Sequence, residues 1–249
     1  MVSFLVLALA GLLAGSLNAL AGGGTLVSFP ALVWIGVPPI MANATATLTA
    51  LPGYIASTWA CRHDLRAEGA LRLRVILAVT ALGGLFGAGM LLVTSGDAFV
   101  GIVPWLLLCA TALFAFGPTL IKMVRMRNIG PAGPGLSALG LGLVAAYGGY
   151  FNGGLGIMLL AIFGLIGFEN LLGMNGLKNL LSAILSVVSV TTYATAGLIA
   201  WNSAIVLAVA TTLGGYLGAT YARRIRHPRI LRGIIIGIGL VMTVLFFAV

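Results

Sequence analysis

Lys178 stands where a cation is expensive. It lies about seven residues into the apolar stretch Leu171–Ala196, and a charge at membrane depth costs several kcal/mol unless it is paired or hydrated. Asn175 and Ser182, at i−3 and i+4, share its face of a helix, while Asn179 sits roughly 100° around. A cation beside short polar groups is a natural ligand for an anion. The competing reading is that the ammonium snorkels, since it starts only about 10 Å from the helix end at 1.5 Å per residue, or that it pairs with Glu169. Glu169 itself reads best as a helix-start charge favoured by the macrodipole, with a proton-coupling carboxylate as the alternative.

Neutral groups with the same chemical leaning gather at two glycine runs. The first is Asn18, Gly22, Gly23, Gly24, Thr25 and Ser28, and the second is Asn152, Gly153 and Gly154. A helix restarting after such a break presents free N–H groups and a positive dipole end, which suits an anion without a formal charge. Asn43, Thr45, Thr47, Asn175 and Asn179 complete this polar set. Each could instead hydrogen-bond between helices, as Asn, Ser and Thr commonly do in membranes. Their recurrence at matching places in the two halves favours a substrate-binding set: Asn18, Gly22, Gly23, Gly24, Thr25, Asn43, Thr45, Asn152, Gly153, Gly154, Asn175, Lys178 and Asn179.

Other chemistry has little to stand on. The two histidines, His63 and His227, lie in basic loops, and Cys61 and Cys109 make neither a C-x-x-C pair nor a disulfide framework. No metal site and no cofactor is expected. The chain has no G-x-S-x-G and no H-E-x-x-H, and no spanning stretch carries a His or paired Asp. An intramembrane enzyme would need such groups at depth, so the sequence points away from catalysis.

The elements that must position these residues follow from composition. With 61% hydrophobic and 7% charged residues and a mean hydropathy of +1.17 over 249 residues, lipid must be the solvent. The segments Val75–Val93, Ala98–Ile121, Leu171–Ala196 and Ser203–Ala222 are long enough to cross a hydrocarbon core of ~30 Å. Gly233–Val249 and Met41–Ala60, the latter with a kink expected at Pro52-Gly53, are further candidates. Met1–Ala21 is apolar, but no Lys or Arg precedes Arg62, so it lacks a signal peptide's basic start and is expected as a mature helix.

All the Lys and Arg residues but Lys178 sit in short clusters between the apolar stretches, as lipid headgroups and insertion rules require and as a nucleic-acid face does not. Arg62, Arg66, Arg72 and Arg74 form one cluster, Lys122, Arg125 and Arg127 a second, and Arg223, Arg224, Arg226, Arg229 and Arg232 a third. The positive-inside rule places all three in the cytoplasm and both termini outside. An even number of crossings must then separate Arg127 from Arg223. Leu136–Phe168 therefore crosses twice with short helices or returns as a hairpin, breaking at Asn152-Gly153-Gly154.

The first sixty residues repeat this plan. Gly15-Ser16-Leu17-Asn18 parallels Gly149-Tyr150-Phe151-Asn152, and Phe29 and Phe163 fall at the same offset from their asparagines. The long helix that follows ends inside in the first copy and outside in the second. One membrane domain, 1–249, with inverted repeats 1–121 and 135–249, is the expected all-α polytopic architecture of about eight or more hydrophobic segments. Many secondary transporters share that arrangement.

The stretch Asn18-Ala19-Leu20-Ala21-Gly22-Gly23-Gly24-Thr25-Leu26, then Pro30-Ala31-Leu32, Gly36-Val37-Pro38-Pro39 and Ala42-Asn43-Ala44-Thr45, resembles the first signature of the sulfite exporter TauE/SafE family. Met174-Asn175-Gly176-Leu177-Lys178-Asn179-Leu180-Leu181-Ser182 resembles that family's second-half signature. The resemblance implies movement of sulfite, sulfonates or other small organic or inorganic anions across the cytoplasmic membrane of a bacterium. A secondary carrier is the first expectation and a passive anion channel the alternative, because glycine breaks and helix ends could serve either. Lipids, a coupling ion such as a proton, and a second copy in a homodimer are the other partners this reading admits.

Overall fold

The computed structural model describes residues 2–20, 23–60, 62, 69–126, 133–221 and 228–248. These form helices and short connections, with no strand among the described residues. The order is α1 Val2–Leu20, α2 Thr25–Trp34, α3 Pro39–Ala60, α4 Leu73–Val93, α5 Gly96–Met126, α6 Pro134–Tyr150, α7 Leu155–Ile166, α8 Leu171–Thr195, α9 Trp201–Tyr221 and α10 Pro228–Phe247. Gly22, Arg66, Arg127, Arg223, Arg224, Arg226, His63, His227 and Cys61 lie outside the described residues.

Local chemistry explains several boundaries. Pro39, Pro134 and Pro228 each open a helix, where the missing N–H costs nothing and φ is already set. Gly167, with φ 101°, closes α7. The helix α3 continues through Pro52 to Ala60, so the expected kink does not interrupt it as an element. The C-terminal helix begins at Pro228, earlier than the apolar run at Gly233, and reaches 20 residues. Among the described residues, three helices are long and apolar enough to cross a membrane: Leu73–Val93, Gly96–Gly117 and Gly173–Thr195.

The two short helices, α2 with 10 residues and α7 with 12, each follow a glycine break and each fall short of a full crossing. The expected pair of short helices over Leu136–Phe168 is thus observed, broken where Asn152-Gly153-Gly154 stands.

Packing exchanges helices between the halves. The closest seams join α1 to α9 and α4 to α6, while α3 packs on α8 and α5 on α10. Along α1 the neighbours of Gly11 are Leu207 and Ala210, and those of Gly15 are Thr211 and Gly215, so α1 and α9 run parallel. Likewise Gly83 faces Gly142 and Ala145 while Gly87 faces Ala146 and Tyr150, so α4 and α6 are parallel. Helices α5 and α10 are antiparallel: Thr111 meets Gly239, and Trp105 meets Phe247 at 5.1 Å. A Cβ on Gly15 would collide with the Thr211 carbonyl, and one on Gly149 with the Gly84 carbonyl. Glycine is needed at both seams because the backbones touch.

A core cluster centred on Leu26, Phe29, Phe99, Leu107 and Phe151 ties α1, α2, α5 and the second break together. A second, with Leu155, Leu159, Phe163, Leu177 and Leu181, fixes α7 against α8. Outward, Leu82, Phe86, Phe116, Leu139, Leu143, Ile205 and Val244 are exposed, the inverse of a water-soluble surface and suited to lipid.

Candidate substrate site at the two helix breaks

At the first break, the Gly24 N–H donates to Asn18 Oδ1 at 2.8 Å, so Asn18 bridges the gap between α1 and α2. Ser28 Oγ donates to the Gly24 carbonyl at 3.3 Å. Thr25 and Ser28 are buried, as are Gly23 and Gly24. The Leu26, Val27 and Ser28 N–H groups bond the Gly23 and Gly24 carbonyls, so the buried start of α2 offers the break its positive dipole end rather than a row of unmet donors.

The second break is built differently. Phe151 is extended, with φ −147° and ψ 117°, and Gly154 is left-handed at φ 74°. An L side chain there would strain against its own carbonyl, so glycine is required for the turn into α7. The Tyr147 hydroxyl donates to the Gly153 carbonyl at 2.8 Å. Asn152 is buried beside Tyr54 of α3, itself buried.

Helix α3 brings the halves together. Asn43 Nδ2 donates to the Tyr150 carbonyl at 2.8 Å, so a first-half side chain satisfies the end of second-half α6. Thr47 Oγ1 donates to the Asn43 carbonyl at 2.9 Å, and Thr45 Oγ1 accepts from the Ala200 N–H at 3.0 Å. An aromatic contact also joins α2 to the second break: Phe29 stands edge-on to Phe151, with centroids 5.8 Å apart.

Lys178, Asn179 and Ser182 are all buried on α8, whereas Asn175 is exposed in its early turns. Asn175 therefore stands apart from the other three. Lys178 lies 5% exposed, so its ammonium is held within the protein rather than spread on the lipid surface. Leu177 and Leu181 beside it pack in the same cluster as Leu155 and Leu159, which places this end of α8 against α7.

Beyond Asn179 and Ser182, residues that the sequence reading passed over also contribute. Buried Asn179, Ser182, Ser186, Ser189 and Tyr193 recur at intervals of three and four, a polar stripe along α8. Its far end is anchored where Ser189 Oγ, at 3.5 Å, and the Tyr193 hydroxyl both donate to the Gly149 carbonyl. The serine spacing was a visible signal. Tyr54 and Tyr147 had none, because their role depends on which helices meet. Among the described residues, no group of three or more His, Cys, Asp or Glu could hold a metal ion.

Two buried helix restarts, buried Asn, Thr and Ser side chains and a buried lysine are the polar features set within these apolar helices. The family model for sulfite exporter TauE/SafE matches residues 7–246. The chain belongs to the sulfite exporter TauE/SafE family. It is similar to the probable membrane transporter protein YfcA of Escherichia coli K12, with 28% identity over 96% of this chain and 87% of the relative. It is 33% identical to a probable membrane transporter protein of Haemophilus influenzae over 84% of this chain and 81% of that one. A probable membrane transporter protein of Sinorhizobium, ORF9, is 24% identical over 96% of the chain and 90% of the relative. No solved structure matches significantly. This TauE/SafE member is thus a multi-pass protein of a membrane transporter family.

Proposed function

We propose that this TauE/SafE protein is a secondary carrier of small anions, of the sulfite and sulfonate kind, in the cytoplasmic membrane of a bacterium. The observation that supports the reading is the packing of α2 and α3 on the second break, with Phe29 against Phe151 and Asn43 bonded to the Tyr150 carbonyl. There the N-termini of α2 and α7 present their positive dipole ends, with Asn18, Gly22–Gly24, Thr25, Asn43, Thr45, Asn152, Gly153 and Gly154 as the binding set. Lys178 and Asn179 supply charge and polarity on the cytoplasmic approach, with Asn175 at its entrance.

Inverted repeats, 1–121 and 135–249, belong to the same reading. Exchanging α1–α5 with α6–α10 turns the α1–α9 seam into the α6–α4 seam and returns α3–α8 and α5–α10 to themselves. Direction supports it too. Helix α6 runs with α4, and the two-residue turn at Thr94 and Ser95 makes α4 run with α10, because α5 is antiparallel to both. The six residues between α9 and α10 reach about 25 Å at most, too short to join parallel spans of about 30 Å. Helix α9, and α1 beside it, therefore oppose α6. Opposed halves around a central site are the usual basis of alternating access.

Flux into proteoliposomes under imposed voltage and pH gradients tests the reading. Uphill anion accumulation driven by a second gradient is expected. Flux that only ever follows the anion's own electrochemical gradient would make the protein a channel. Thermal shifts over a panel of sulfite, sulfonates, thiosulfate and small carboxylates would name the anion.

A further inference from the structure

Two buried acceptors around the second break meet no protein group among the described residues. Asn43 is fully buried and Asn152 is 3% exposed, and the side-chain oxygen of each has no hydrogen-bond partner among the described residues. The orientation of Asn43 is fixed by its own network: the Tyr150 carbonyl at 2.8 Å can only accept, so Nδ2 must face it and Oδ1 must face away. Asn152 lies two residues beyond Tyr150, so the two oxygens belong to one locality. A buried acceptor left unpaired costs about what a lost hydrogen bond does, so two in one place need a reason.

A fully deprotonated oxyanion such as sulfate offers only acceptors, and carboxamide oxygens would repel it. The α7 N-terminus and Lys178 offer the opposite polarity. We propose that the transported anion also carries hydrogen-bond donors: Asn43 Oδ1 and Asn152 Oδ1 accept from an O–H or N–H of the solute while helix N–H groups hold its negative oxygens. This inference rests on the anion-carrier reading above and narrows it to donor-bearing anions. The donor sits either on the charged headgroup, as in a protonated oxyanion, or on a short tail, as a hydroxyl or ammonium.

Two matched comparisons on the purified protein in nanodiscs separate these sources. Phosphate against sulfate probes a donor on the headgroup. 2-Hydroxyethanesulfonate and 2-aminoethanesulfonate against ethanesulfonate probe a donor on the tail. In at least one comparison the donor-bearing solute should bind about tenfold tighter or better, by calorimetry or thermal shift. Asn152→Ala, and separately Asn43→Leu, should collapse the ratio of donor-bearing to donor-free binding toward one, whatever either change does to the absolute affinities. Binding without preference in both comparisons overturns the proposal but leaves the carrier reading intact. A preference that survives in both variants also overturns it, and no binding of any of these anions overturns both readings.

Discussion

Single residues here carry opposite burdens. Lys178 is a cation kept out of water, and its removal should be felt by any anion that passes it. Lys178→Met is expected to weaken anion binding about tenfold or more, the scale of a charge-assisted hydrogen bond. Lys178→Arg should retain part of the affinity with altered selectivity, because the guanidinium fork differs from a point charge. Equal binding and flux in the methionine variant at normal expression would show that the lysine serves only the fold. Gly154 makes a backbone demand instead. Its left-handed conformation makes Gly154→Ala cost about 1–2 kcal/mol, read as a lowered melting temperature. Gly23→Leu or Gly154→Leu should stop transport while membrane insertion persists. Lys178, Asn152 and the glycine runs were legible in the sequence because a charge or a helix breaker inside an apolar run is conspicuous by type. Tyr54, Tyr147 and Tyr193 were not, since nothing in a lone tyrosine says which carbonyl it will find.

Among elements, the breaks were easier to foresee than the seams. Two short helices over Leu136–Phe168 follow from charge parity alone, and their end at Tyr150 and restart at Leu155 bracket the expected Asn152-Gly153-Gly154. Helix ends moved by a few residues where proline or flanking polar groups extended them, as at Pro228. The seams were hidden because the partners of α1 and α6 lie in the opposite half, and hydropathy carries no pairing information. The α4–α6–α8 junction offers a direct check. Tyr193→Phe removes the hydroxyl from the Gly149 carbonyl and leaves Ser189 at 3.5 Å as its side-chain partner. It should lower stability by about 1 kcal/mol, while Gly149→Val, which forces α4 and α6 apart, should cost considerably more. A chemical melt of the reconstituted protein would rank the two, and the reverse order would mean that the seam is looser than its backbone contact implies.

For the whole molecule, orientation is the first thing to measure. Membrane-impermeant thiol reagents applied from the periplasm should label cysteines placed near Gly96 and Asn202 but not at Arg127. Strong outside labelling at Arg127 would reverse the orientation. The pairing of α1 with α9 has a further consequence, for the order in which the molecule is made. The Ser16 hydroxyl bonds the Gly214 carbonyl, 198 residues further along the chain. Helix α1 leaves the ribosome long before α9, so its Gly15 face must wait in lipid until that partner has been inserted. Contacts so distant in sequence close late, so assembly finishes after synthesis rather than alongside it. A chain ended after α8 should leave α1 unpartnered, its Gly15 face open to crosslinking with any neighbour. Supplying α9 and α10 as a separate peptide should close that face again.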